Sequence, residues 1–168
     1  MIQKFVNWVR SFRAASGPTD LVLFDGDQVR KAEFAKLYRE SSSTEYHWIQ
    51  VSTHFPKNVE KTGIQMHRAP STGKESTDTK LTVMLVDLCH QYAATLKRVY
   101  VVSADGDFVD VLETTGQLFP VVKFAQVINK SRVVNKNVKA TARRLNGTNC
   151  SILFYRLPPA SAQLRKQK

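Results

Sequence analysis

Two short segments repeat the same trio of residues, Asp25-Gly26-Asp27 and Asp105-Gly106-Asp107. Each comes at the end of an apolar run: Leu21-Val22-Leu23-Phe24 before the first, and Val99-Tyr100-Val101-Val102 with a Ser103-Ala104 spacer before the second. A single Asp-Gly-Asp reads as a tight turn, because both residue types are common in turns. Two of them, each closing a strand-like run, point to carboxylates gathered on one rim of a sheet. Carboxylates that close together repel, so such a group must hold protons or a divalent cation. Oxygen donors suit Mg²⁺ or Mn²⁺, whereas zinc would want His or Cys. His47, His54, His67 and His90 are not spaced as ligands, and neither Cys89 nor Cys150 has a Cys or His at metal-ligand spacing. Asp78 is a third acid of interest. It leads a predicted helix, where capping the helix is an alternative to binding a metal.

The elements that must position these acids follow from hydrophobic periodicity. Short continuous apolar runs are the mark of strands buried on both faces. Strands are predicted over 21–24, 46–53, 64–69, 99–102 and 119–128, with an edge strand over 151–157. Helices are predicted over 2–15, from about Gln28 to Arg39, from Asp78 onward with Leu81, Leu85, Leu88 and Tyr92 on one face, and over 108–115 with Gly116 as its stop. Strands alternating with helices call for an α/β fold: a central, mostly parallel sheet with helices on both faces, in three layers. In such sheets ligands bind at the carboxyl ends of the strands, where both acidic trios would stand.

The length of 168 residues fits a single domain over 1–168, with a core at about 20–128 and a basic C-terminal extension over 129–168. No apolar run approaches the roughly 20 residues needed to span a bilayer, and the N-terminal stretch carries scattered charges unlike a secretory signal. A cytoplasmic protein with reduced thiols and no membrane partner is expected; a homo-oligomer stays open. The net charge is +11, and it is segregated. From Thr114 onward there are eleven Lys and Arg and no acid, so the last third carries the whole excess. A segregated positive surface suits a polyanion, because each neutralised phosphate releases counterions. Arg68, Lys74 and Lys80 lie around the second acidic segment. Lys130, Arg132, Lys136, Lys139, Arg143 and Arg144 form the densest positive run, interrupted by Asn135, Asn137 and Asn146. That mixture suits tracking phosphates better than reading bases.

The segment Leu21 to Arg30 resembles the opening of NYN and related PIN-like nuclease domains, an apolar strand running into Asp-Gly-Asp-Asn. Lys74 to Leu81, with Asp78 at a helix start, is similar to the second acidic motif of that family. Val101 to Phe108 resembles the third, a strand ending in Ser-x-Asp-x-Asp-Phe. Gln28 stands where the family usually has Asn. The resemblance covers about residues 20–128. It implies a PIN-like fold and Mg²⁺- or Mn²⁺-dependent cleavage of phosphodiesters, with single-stranded or structured RNA as the usual substrate. It further implies that Asp25, Asp78, Asp105 and Asp107 are the metal-binding, catalytic acids, with Asp27 as an outer partner and Ser103 orienting an acid or a water. The alternative is an RNA-binding protein on the same scaffold with impaired or no cleavage.

Overall fold

The computed structural model describes residues 17–28, 46–52, 65–69, 76–129 and 136–155. The helix predicted over 2–15 falls outside them. So does the next, apart from Gln28, which belongs to the turn after the first strand. In chain order the described elements are β1 (Asp20–Asp25), β2 (Tyr46–Ser52), β3 (Gln65–Arg68), α1 (Ser76–Gln91), β4 (Arg98–Val102), α2 (Phe108–Leu118), β5 (Lys123–Asn129), α3 (Lys136–Arg144) and β6 (Cys150–Tyr155). The six strands form one sheet in the order β3-β2-β1-β4-β5-β6, and every neighbouring pair is parallel.

Register and alternation assign each side chain to a face. Leu23 stands between Ile49 of β2 and Val101 of β4, so these three share a face with Leu21, Val51, Val99 and Phe124. That face packs under α1 and α2. Leu81, Leu85 and Cys89 recur every fourth residue along α1 and are buried against it, joined by Phe108, Val109 and Leu112 of α2. The other face carries Val22, Phe24, Val102 and Ala125, and these are buried too. The sheet is therefore covered on both sides, as a three-layer α/β architecture requires. Each fully buried Phe or Leu contributes about 1.5–3 kcal/mol relative to exposure, so β1, with four apolar residues buried in a row, anchors the sheet.

Three predicted boundaries shift. The helix α2 does not stop at Gly116 but runs to Leu118. A Cβ on Gly116 would lie 2.7 Å from Cys150 Sγ and 3.0 Å from Asn149 Oδ1, so this glycine marks a close approach of α2 to the start of β6 rather than a helix end. Asn149 terminates the helix instead: its Nδ2 donates to the carbonyls of Gly116 (2.9 Å), Phe119 (3.3 Å) and Val122 (2.9 Å). The strand expected from Phe119 begins only at Lys123, because a turn intervenes, closed by the Val122 N–H on the Phe119 carbonyl. Finally, α1 begins at Ser76, which makes Asp78 its third residue rather than its cap.

Candidate active site

After β1 the chain moves outward to β2 and β3, then returns to the opposite side of β1 as β4. Connections leave the carboxyl ends of β1 and β4 in opposite directions, and such a switch point opens a crevice at the sheet rim. Asp25 is the last residue of β1 and is wholly buried. Alternation turns it to the same face as Leu21 and Leu23, the face that α1 and α2 cover.

Two carboxylates are buried on β1, one at each end, and their surroundings differ. Asp20 meets a cation, the guanidinium of Arg98, in two bonds of 2.9 and 2.7 Å. Asp25 meets neutral donors: its Oδ1 accepts the backbone N–H groups of Asp27 and Gln28, both at 3.2 Å, and its Oδ2 accepts Ser103 Oγ at 2.9 Å. Burial pushes the Asp25 carboxyl up to about 6. The Ser103 hydrogen bond opposes that rise, the charge of Asp78 adds to it, and the two backbone N–H groups oppose it. The ionised neighbour acting on Asp25 is thus another acid.

Ser103 couples the two acidic segments. While its hydroxyl donates to Asp25, its Oγ accepts the Asp105 N–H at 3.1 Å. One hydroxyl thus orients the Asp25 carboxylate and closes the turn at Asp105. Gln126, buried in β5, pins the same loop from below the rim. Its Nε2 donates to the carbonyl of Ser103 at 3.1 Å and to that of Asp105. Asp105 Oδ1 in turn accepts the Asp107 N–H at 3.0 Å. Asp107 stands at the N-cap of α2, yet its side chain makes no capping bond. Gly106 has open space where a Cβ would stand and no left-handed backbone, so crowding does not demand glycine there. Asp27 binds the end of β2 to the start of α1, accepting Ser52 Oγ at 2.8 Å and Thr77 Oγ1 at 2.5 Å.

Asp78, Asp105 and Asp107 line a single cleft of about 520 Å³, and Gln28 borders it. The first turns of α1 and α2 both contribute to that lining, so the positive ends of two helix dipoles lie close to the acids. Among the described residues, no three His, Cys, Asp or Glu side chains stand close enough as placed to enclose an ion. Asp78, Asp105 and Asp107 share the cleft, and Asp25, wholly buried and not among its lining residues, feels the charge of Asp78; together they form no closed cage.

The basic residues spread more widely. Arg68 is exposed at the end of β3, and Lys80 is half-buried on α1. Lys136 and Lys139 fall on α3, and Arg143 and Arg144 end that helix, both exposed. Arg144 is already engaged, with bonds of 2.5 and 2.6 Å to the carboxylate of Glu113 on α2. Lys74, Lys130 and Arg132 lie outside the described residues. The sequence reading missed Gln126, Ser52 and Thr77, which hold the acidic loops. Gln126 had left a signal: it is a polar side chain inside the apolar run Phe124-Ala125-Gln126-Val127-Ile128.

The sequence profile of the NYN domain matches residues 10–118, from ahead of β1 to the end of α2 and across all four acids. The chain belongs to the NYN domain family. This is a family of PIN-like nucleases, and the cations of the basic last third, with β5, α3 and β6, lie beyond the matched NYN segment. No curated protein matches the chain significantly. Among solved structures, a Vibrio parahaemolyticus protein of unknown function has a similar fold. It has a TM-score of 0.54 and 15% identity, over 87% of this chain and 96% of that one. At that identity the likeness shows the fold alone. Among the described residues no helix is long and apolar enough to cross a membrane.

Proposed function

We propose that this NYN domain is a ribonuclease that cleaves RNA phosphodiesters with Mg²⁺ or Mn²⁺, using Asp25, Asp78, Asp105 and Asp107. The observation that carries this reading is Asp25: a buried carboxylate at the switch point whose ionised neighbour is another acid. A buried charge without a cation is costly, and a divalent ion relieves the cost where salt bridges do not. The donor set suits such an ion by its chemistry, because it is all oxygen. When bound, Mg²⁺ or Mn²⁺ would polarise the phosphate and lower the pKa of a bound water.

The chain's own groups do the rest. Ser103 and two backbone N–H groups fix the Asp25 carboxylate before any substrate arrives, so little reorganisation is needed. Gln126 holds the loop that carries Asp105 and Asp107. The helix ends of α1 and α2 offset part of the negative charge that an RNA phosphate brings to an acidic cleft. Arg68, Lys74, Lys80 and the cations from Lys130 to Arg144 would follow the RNA backbone away from it.

Incubation with labelled single-stranded RNA tests this reading. Cleavage should appear with Mn²⁺, stop with EDTA, and fall by orders of magnitude in Asp78→Asn. Since Asp78 is in the first turn of α1 but is not its cap, that variant should lose little stability. Binding of RNA without cleavage in Mn²⁺ would favour the non-catalytic alternative. The open spacing of the acids and Gln28 at the cleft give that alternative its support.

A further inference from the structure

The sheet ends on β3 at one side and on β6 at the other, and the two edges differ. β3 has four residues and ends in the exposed Arg68. Shortness and charge keep a sheet edge from pairing with other chains. β6 has neither protection: it runs for six residues, Cys150-Ser151-Ile152-Leu153-Phe154-Tyr155, with no charge among them. Leu153 is 44% and Phe154 37% exposed, and they point to opposite faces of the strand. The Phe124 N–H of β5 donates to the Asn149 carbonyl at 2.8 Å. Alternation therefore turns the main-chain groups of Ser151, Leu153 and Tyr155 toward β5, and those of Cys150, Ile152 and Phe154 outward. The Cys150 N–H is taken up by Thr148 Oγ1 at 3.1 Å. Among the described residues, nothing takes up the outward main-chain groups of Ile152 and Phe154.

We propose that β6 pairs antiparallel with β6 of a second copy of this chain, about a twofold axis through Leu153, and so joins two sheets into one. The pairing is independent of the nuclease reading. With the axis there, Ile152 stands opposite Phe154 of the second copy, twice, and each of these pairs exchanges two main-chain hydrogen bonds. Leu153 meets its own copy in the closer, non-hydrogen-bonded kind of pair, where apolar side chains touch. An axis through Ile152 would oppose Phe154 to Cys150, whose N–H is already bonded, and an axis through Phe154 would set Arg156 against Ile152. The chain's own continuation is a poor occupant of this edge. It passes through Arg156 and Pro158-Pro159, and residues 160–168 carry one large apolar residue, Leu164, beside Arg165, Lys166 and Lys168. Of the two edges only β6 is long and uncharged, so the pairing closes at two copies rather than running on as a fibre. The Arg144–Glu113 pair ties α3 to α2, so the same axis brings both α3 helices to one side of the joined sheet. Their cations repel. An interface centred on one strand per copy also lies at the small end of stable contacts, which bury about 1,200–2,000 Å². The dimer is therefore in exchange with the monomer, and salt strengthens it by screening the cations.

Sedimentation velocity over a range of protein and NaCl concentrations should show a monomer–dimer equilibrium that salt shifts toward the dimer. Leu153→Lys sets like charges opposite each other at an exposed position, so it should keep the melting temperature and weaken dimerisation by about tenfold or more. Cysteine cross-linking with oxidised glutathione tests the register. Across the axis the two Cα atoms of position 153 stand about 4.5 Å apart, within the reach of a disulfide, so Leu153→Cys should cross-link into dimers. Position 151, also exposed, lies about 14 Å from its own copy, so Ser151→Cys should not. The parent, whose Cys89 and Cys150 are buried, sets the background. A monomer at every protein and salt concentration, assembly beyond two copies, or unchanged dimerisation in Leu153→Lys overturns the pairing. So does cross-linking of Ser151→Cys as fast as that of Leu153→Cys.

Discussion

At the scale of single residues, the most informative group is Asp25, because its burial and its neighbours act on it in ways that pH can report. Its carboxyl is raised from 3.8 to about 6, with burial the main cause. A raised acid binds its proton more tightly in the folded state than in the unfolded one. Its contribution therefore favours folding at low pH and declines as pH rises from about 4 to about 6. In metal-free protein, Asp25→Asn should remove that decline and melt no lower than the parent at pH 7, since it deletes a buried charge facing Asp78. The parent should also gain metal affinity as pH rises through 6, because the proton and the ion compete for one carboxylate. Mn²⁺ should raise the parent's melting temperature by mass action. If Asp25→Asn and Asp105→Asn both kept the full Mn²⁺ shift in calorimetry, these acids would not be the ligands.

At the scale of elements, Gln126 holds the acidic loop after β4, and Gly116 lets α2 pack closely on the start of β6. Gln126 donates from β5 to two carbonyls of the β4–α2 loop, while its Oε1 is buried without a hydrogen bond. Gln126→Leu would leave the carbonyls of Ser103 and Asp105 without that donor, at a cost of about 1–3 kcal/mol. Loss of the unbonded Oε1 offsets part of this. The variant should stay folded in circular dichroism yet show a smaller Mn²⁺ shift, because the loop bearing Asp105 is no longer held. A structural defect alone would lower the melting temperature with and without Mn²⁺ equally. Gly116 tests the packing of α2 on β6. Alanine would gain about 1 kcal/mol of helix propensity, but overpacking costs about 1–3 kcal/mol, and the clashing atoms belong to the fixed Asn149 and Cys150. Gly116→Ala should therefore destabilise in urea melts, and Cys150→Ala in the same chain should recover part of the loss.

At the scale of the whole molecule, charge is divided between an acidic cleft and a basic last third. RNA affinity should fall steeply with salt, with a log–log slope of about −0.7 per phosphate contact on single strands. Replacing Arg143 and Arg144 together by Ala should flatten that slope by about 1.4, similarly for RNAs of different sequence, since phosphate contacts carry little sequence information. Arg144 must first leave Glu113 to meet a phosphate. Arg143→Ala alone should therefore cost more affinity than Arg144→Ala, as filter binding at several salt concentrations would show. An unchanged slope in the double variant would place the RNA path elsewhere.

The amino-acid sequence by itself determined the fold class and the acidic motifs. Apolar runs of strand length register burial on both faces without any long-range information, and the NYN motifs follow those runs directly. It also determined the charge division, which is a matter of counting. What only the tertiary structure decided is which partner each group meets. Whether Asp78 caps α1 or faces a cleft depended on a helix start two residues earlier, and backbone hydrogen bonding sets such boundaries more than residue type does. Gly116 read as a helix stop because propensity is a local quantity, whereas the contact that requires glycine comes from Cys150 and Asn149, more than thirty residues away. Ser103 and Gln126 acquired their roles in the same way. The parallel sheet brings the ends of β1, β4 and β5 side by side, and hydrogen bonds across that rim link residues 21 to 78 positions apart.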